Sequence, residues 1–319
     1  MLDDLYKKGI KELEELGLYE FCIPAVETGF VNEHNRDVFE KFHLNMRGID
    51  AEPAATECSF FGKEFNSPIA MSSITSPIPR ITEGGLLKMA QALAEVNSSM
   101  WLGYPVPENL GELTSIVPVG QIIKPFKDRE EIFTAIERVE ESGAFAYGVD
   151  FDSGARTKYG GKRRGPEAKP LSSKEIEEIM NSSELPFVLK GVLSVEDAEK
   201  AMEIGVQNVI VTNHGGHTLD HLPHPLEMLP ELMEVFDEDC NVFVDSGFRR
   251  GSDVFKGIAM GADIVMLGRP LLYGLAAEGQ EGVAEVLETI RRELERIMTM
   301  CGTPSVAEIE ENGILECRF

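Results

Sequence analysis

The sequence contains no apolar run approaching the roughly 18 to 20 residues that a membrane-spanning helix requires. Its opening residues, Met1-Leu2-Asp3-Asp4, lead into a charged amphipathic stretch, without the basic flank and apolar centre of a secretory leader. The expectation is a soluble, cytoplasmic protein. Cysteine is scarce and scattered: Cys22, Cys58, Cys240, Cys301 and Cys317 form no CxxC and no paired spacing. That pattern argues against a structural zinc site or disulfide framework and predicts reduced thiols. Positive charge is also in short supply, 30 Lys and Arg against 55 Asp and Glu, for a formal charge of −25. A surface of that sign repels nucleic acid and anionic membrane, so neither is an expected partner. It favours solubility, and a high-salt cytoplasm would select it too. Missing as well is the glycine-rich GxGxxG turn that usually opens a doubly wound dinucleotide-binding sheet.

What is present, in 319 residues of which 43% are hydrophobic, is an alternation. From residue 67 onward, short and almost continuously apolar runs alternate with amphipathic helical stretches, as when both faces of a parallel strand are buried. Eight strands are expected: Pro68 to Ser73, Met100 to Tyr104, Gln121 to Pro125, Ala146 to Phe151, Phe187 to Lys190, Val209 to His214, Val242 to Gly247 and Ile264 to Gly268. Helices are expected over Gly85 to Val96, Glu130 to Glu141, Val195 to Ile204, Ser252 to Met260 and Gly282 to Met300. Eight βα units predict an α/β protein of the closed (β/α)₈ TIM-barrel type, residues 67–319, rather than an open doubly wound sheet. Residues 1–66 read as a helix, Asp3 to Leu16, and a loop-rich lead-in packed on the barrel's bottom and side, within a single domain.

Chemistry in such a barrel sits at the C-terminal strand ends. The sixth strand runs into Thr212-Asn213-His214-Gly215-Gly216-His217, placing an imidazole beside two glycines that permit close approach of a ligand. His214 is the expected proton-transfer residue. Four histidines within eleven residues (His214, His217, His221, His224) raise the question of a metal, but the intervening Gly215, Gly216, Pro223 and Pro225 make the stretch a loop without helical ligand spacing, so no metal is expected. The seventh and eighth strands lead into Asp245-Ser246-Gly247-Phe248-Arg249-Arg250 and Gly268-Arg269-Pro270. Glycine N–H groups and the guanidinium groups of Arg249 and Arg269 on these consecutive loops predict a phosphate site. Lys190 closes the fifth strand; a buried ammonium there needs an anion, a Schiff-base role or a core salt bridge. The loop after the fourth strand carries Arg156, Lys158, Lys162, Arg163, Arg164 and Lys169 among glycines, which suits either a mobile lid over an anionic substrate or a solvated surface loop.

These residues resemble the FMN-dependent α-hydroxy-acid oxidases and dehydrogenases, the family of glycolate and lactate oxidases. The match is densest over residues 170–305. It rests on Leu189-Lys190-Gly191-Val192, on Asn213-His214-Gly215-Gly216 with Leu219-Asp220, on Asp245 through Val254, and on Gly268-Arg269-Pro270. The resemblance implies FMN held by Lys190, Asp245, Gly247, Arg249, Gly268 and Arg269, with Gln121 and Thr212 as further flavin-facing candidates. It implies that His214 takes a proton as hydride passes to the flavin, oxidising a small 2-hydroxy acid, and that the chain forms homo-oligomers, often tetramers in this family. The pattern departs at the substrate end. Three residues after the histidine the family has a substrate-binding arginine and this chain has His217; Phe21 stands in place of a lead-in tyrosine; and no tyrosine is evident near Lys124. His217, Arg250 and Arg156 are the candidate cations for the substrate's carboxylate. An FMN-dependent isomerase of a diphosphate substrate, of the type 2 isopentenyl-diphosphate class, and a flavin-binding scaffold with an altered substrate site are the alternatives. The electron acceptor is not specified by the sequence.

Overall fold

The computed structural model describes residues 2–23, 26–155 and 167–316. Eight parallel strands are present: β1 (Ile69–Met71), β2 (Met100–Leu102), β3 (Val119–Ile123), β4 (Ala146–Asp150), β5 (Phe187–Val192), β6 (Asn208–Val211), β7 (Asn241–Val244) and β8 (Ile264–Leu267). They follow one another round a single sheet in the order β1-β8-β7-β6-β5-β4-β3-β2. The seam is joined by the Met71 N–H donating to the Ser99 carbonyl at 3.1 Å and the Ile74 N–H donating to Trp101 at 3.3 Å. The expected barrel is therefore the observed one. Several strands stop short of their expected C-terminal ends, because the chain leaves the ladder there to build loops.

The barrel explains why the strands read as unbroken apolar runs. Alternate residues face inward, where Ala70, Trp101, Ile122, Val188, Ile210 and Phe243 form one buried cluster. Their neighbours, such as Met71, Leu102, Val149, Leu189, Val211 and Leu267, face outward into the helical layer. Both faces are dry, so neither tolerates the polar alternation of a half-exposed strand.

The lead-in holds a helix and further elements that the pattern did not show. Helix Leu2–Glu15 packs Tyr6 edge-on against Tyr273 of the C-terminal helix, ring centroids 5.8 Å apart. A hairpin of Cys58–Phe60 and Lys63–Phe65 closes the barrel bottom, Phe60 stacking on Phe65 at 4.2 Å and meeting Phe243 edge-on at 5.6 Å. A further helix, Phe30–Asp37, lies beside the loops that follow β6, β7 and β8, where only loop was expected. Strand Phe42–Leu44 pairs antiparallel with Ile314–Glu316 near the other end of the chain. The expected helix Gly282 to Met300 begins earlier: Arg269–Cys301 is helical apart from a break at Glu278 and Gly279. No helix among the described residues is long and apolar enough to cross a membrane.

Candidate active site

An open cavity of about 1000 Å³, counted out to its mouth, lies at the C-terminal strand ends. It gathers Lys190 from β5, His214 and His217 from the loop after β6, Asp245, Gly247 and Arg249 from the loop after β7, and Gly268 and Arg269 from the loop after β8. Eight of the residues expected from the sequence thus share one pocket.

At one end stand two arginines that form no ion pair with a carboxylate of the described residues. Arg269 donates from Nη1 to the Asn32 side-chain oxygen at 3.0 Å, and burial pushes its guanidinium below the usual arginine range. Arg249 contributes its side chain to the lining, while its N–H is fixed by Asp253 Oδ2 at 2.9 Å. The turn between them and β7 requires glycine. Gly247 has φ +85°, and a Cβ there would fall 2.3 Å from the Asn35 carbonyl oxygen. Arg36 donates to the Gly247 carbonyl and to Asp253 Oδ2, tying this turn to helix Phe30–Asp37. Pocket cations that form no ion pair among the described residues are suited to a phosphate.

At the other end every charge has an answer. Asp150, at the end of β4, takes the Lys124 ammonium on Oδ2 and lies 3.4 Å from Lys190 Nζ through Oδ1. Burial alone would raise the Asp150 carboxyl; His214, Lys124 and Lys190 together hold it well below the usual range. The Lys190 ammonium, which burial would lower, is kept above its ordinary value by Asp150, Asp152 and Asp245. Burial prevails at Lys124 and moves it down, despite Asp150. His214 Nδ1 lies 3.0 Å from Asp152 Oδ2, and its Nε2 makes no hydrogen bond among the described residues. Burial, reinforced by Asp150, raises the Asp152 carboxyl against the pull of His214 and Lys190. Asp150, Asp152 and His214 bring their ligating atoms within 4.8 Å of one another, but the two ammonium groups already supply the counter-charge a cation would bring.

His214 sits at φ +57°, a left-handed conformation that a side-chain-bearing residue keeps only when its surroundings enforce it. Thr212 Oγ1 accepts the His214 N–H at 2.8 Å and donates to Asp245 Oδ1. Ser72 and Ser246 donate to the same carboxylate at 2.8 and 3.0 Å. Asn213 and Asn35 exchange a pair of amide hydrogen bonds, 2.6 and 3.1 Å, in the buried interior. Asp220 accepts from the N–H groups of Thr28, Gly29 and Val31 and from the Thr28 hydroxyl, so the Leu219-Asp220 motif anchors helix Phe30–Asp37 onto the histidine loop.

Several expectations change. Arg250 is not a substrate cation: its guanidinium is held by Glu293 and by Asp3 at 3.0 Å, outside the pocket, because the chain turns there into helix Gly251–Ala259. Thr212 braces His214 and Asp245 and does not line the pocket. Gln121 is also behind the lining; its Nε2 donates to the carbonyl of pocket-lining Gly103 at 2.7 Å, and its Oε1 is buried with no partner among the described residues. Arg156, with Lys158, Lys162, Arg163 and Arg164, lies outside the described residues. The four histidines do not converge. His221 stacks on Phe30 at 4.8 Å, while buried His224 accepts the Leu226 N–H at Nδ1 and donates from Nε2 to the Ser246 carbonyl. Lys190 makes the core ion pair that was one of its expected roles, and also lines the pocket. Lys124, Asp150 and Asp152 were not singled out, although charged residues closing the third and fourth strands satisfy the strand-end rule that selected His214.

The residues present fit a flavin mononucleotide. Arg249, Arg269 and the Gly247 and Gly268 turns suit its phosphate. The buried Lys190 ammonium lines the pocket toward the opposite end, with the Gln121 acceptor, unpaired among the described residues, behind the lining. The sequence profile described as "FMN-dependent dehydrogenase" matches residues 11–165 and 163–316. Glycolate oxidase 3 of Arabidopsis thaliana is 29% identical over 97% of this chain and 94% of its own length. A peroxisomal (S)-2-hydroxyacid oxidase of the same plant is 44% identical, over 45% of this chain and 40% of that relative. Among solved structures, a mandelate oxidase variant with (S)-mandelic acid superposes with a TM-score of 0.91 at 27% identity, covering 100% of this chain and 99% of the other.

Proposed function

Since this chain belongs to the FMN-dependent dehydrogenase family, we propose that it oxidises a small 2-hydroxy acid to the corresponding 2-oxo acid, with His214 as the base. FMN, when bound, supplies the acceptor for the hydride leaving the substrate's C2. The protein's own task is the proton. His214 Nε2 accepts it from the hydroxyl as the C–H bond breaks and the C=O forms, while the carboxylate at Nδ1 favours the imidazolium that results. The observation that carries this reading is the placement of His214: one ring nitrogen held by Asp152, the other without a partner among the described residues, at the wall of a pocket bounded by Arg249 and Arg269. His217 is the proposed cation for the substrate's carboxylate. It lines the same pocket, its ring centroid 6.0 Å from that of His214. The diphosphate isomerase alternative finds no support in the relatives named above, which are hydroxy-acid oxidases.

The test is an anaerobic titration of the FMN-loaded protein with a panel of 2-hydroxy acids, followed at the oxidised flavin band near about 450 nm. Bleaching by one member of the panel supports the reading and identifies the substrate. A spectrum unchanged across the panel defeats it and favours the flavin-binding scaffold.

A further inference from the structure

We propose that Tyr6, on the N-terminal helix Leu2–Glu15, is a positioning residue for the cofactor's phosphate: it holds the turn after β7 in the register that sends Arg249 into the cavity and Arg250 out of it. This rests on the reading of Arg249 as a phosphate ligand given above. The two arginines are adjacent, and in extended backbone adjacent side chains leave on opposite sides. Arg250 is extended, with φ −137° and ψ 160°. Arg249 lines the cavity, whereas the Arg250 guanidinium is taken by Glu293 and, at 3.0 Å, by Asp3 of the same N-terminal helix. A shift of one residue in this turn would exchange the two. The pins that prevent it act on the backbone. Asp253 Oδ2 accepts the N–H groups of Arg249 and Arg250 at 2.9 and 3.2 Å, and the Tyr6 hydroxyl donates to the Arg249 carbonyl at 3.0 Å.

Tyr6 does not line the cavity and acts from behind it. Its side chain is buried, and burial raises the phenol against the pull of Arg249 and Arg250, so the hydroxyl stays protonated and available as a donor. The helix that carries it cannot slide. A Cβ on Gly9 would fall 2.0 Å from the Tyr273 carbonyl oxygen, which means that the N-terminal and C-terminal helices meet there backbone to backbone. Tyr273, against which the Tyr6 ring packs edge-on, stands four residues after Arg269 and so on the same side of the helix leaving β8. One side chain thus braces the stems of both pocket arginines: the Arg249 carbonyl through its hydroxyl, and the helix of Arg269 through its ring. Coupling of this kind is reciprocal. If the docked helix favours the phosphate-binding register, then a bound phosphate must favour the docked helix.

The test separates the phosphate from the rest of the cofactor. Fluorescence titration of the FMN-free protein with FMN, and with riboflavin, which lacks the phosphate, gives the protein's preference between them. Tyr6→Phe keeps the ring and removes only the hydroxyl. It should weaken FMN binding about 5-fold and leave riboflavin binding unchanged. Lys8→Met, which removes an exposed pair with Glu278 from the same helix, should leave both unchanged. An equal loss for FMN and riboflavin in Tyr6→Phe would show a general structural effect and overturns the proposal, as does an unaltered FMN affinity. Should Tyr6→Phe not fold, the wild-type protein still decides by hydrogen exchange. At saturation, amides of residues 6–15 should exchange more slowly with FMN than with riboflavin, and equal protection overturns the coupling. Wild-type protein that binds riboflavin as tightly as FMN would remove the phosphate reading itself, whereas a wild-type preference that survives intact in Tyr6→Phe removes only the role of Tyr6.

Discussion

The two ends of the pocket handle charge in opposite ways. Around Gly247 and Gly268, Arg249 and Arg269 face the cavity without a carboxylate partner among the described residues, so that end is complete only when an anion arrives. Around His214, two ammonium groups meet two carboxyls, and the protein has neutralised the site before any ligand enters. The first arrangement suits a resident phosphate. The second suits a proton acceptor whose behaviour must be set by the fold rather than by the substrate. The difference also separates stability from binding, because removing a charge should weaken the folded protein at one end and ligand affinity at the other.

The largest effect is expected at the neutralised end. Lys124→Met strips an ammonium from Asp150 Oδ2 and Ser153, leaving a buried carboxylate with Lys190 as its remaining cation. Breaking one partner out of a buried pair costs about 3 kcal/mol of folding stability, visible as a lower urea midpoint in the FMN-free protein. An unchanged midpoint would mean that Lys190 alone satisfies Asp150, and the contrast between the ends would fail.

Acid should act through the other end. His224 is fully enclosed behind the phosphate turn, donating to the Ser246 carbonyl at 2.7 Å, and burial pushes its imidazole down from 6.5 to about 4. The folded value lies below the unfolded one, so the neutral ring's contribution is complete above about pH 6.5 and is lost as pH falls toward 4. The loss across that window should be about 3 kcal/mol. Asp150, held below the carboxylate range, gives up its contribution only at lower pH. Urea midpoints at intervals between pH 7 and 4 should therefore fall in the wild type and fall less in His224→Gln, from a lower starting point. Parallel slopes in the two proteins would assign the acid sensitivity elsewhere.

The same division governs how much could be read from the sequence. The barrel was legible because each strand is short, apolar on both faces and followed by an amphipathic helix. The grouping of Gly247, Arg249, Gly268 and Arg269 in one pocket was legible because they lie on two consecutive loops, Asp245 to Arg249 and Gly268 to Arg269. Arg250 was misassigned since adjacency cannot show that the chain turns into a helix there, sending the guanidinium to Glu293. Asp150, Asp152 and Lys124 were missed because their meaning lies in contacts between β3, β4 and the loop after β6, separated by tens of residues. Helix Phe30–Asp37 escaped notice for a similar reason: what holds it is Asp220, nearly two hundred residues away, together with the Asn35–Asn213 amide pair.

The smallest effect gives the sharpest contrast, since it should have opposite consequences for ligand and fold. Arg269→Met removes a charge-assisted donor from the phosphate end, and FMN affinity should drop by about 2 kcal/mol, roughly 30-fold, in a fluorescence titration. The FMN-free protein, however, loses among the described residues the 3.0 Å bond to Asn32 while shedding a guanidinium that burial already disfavours. Its urea midpoint should hold or rise, the reverse of Lys124→Met. If Arg269→Met instead destabilises the FMN-free protein as much as Lys124→Met does, Arg269 answers to the protein's own charges and the phosphate end is not waiting for an anion.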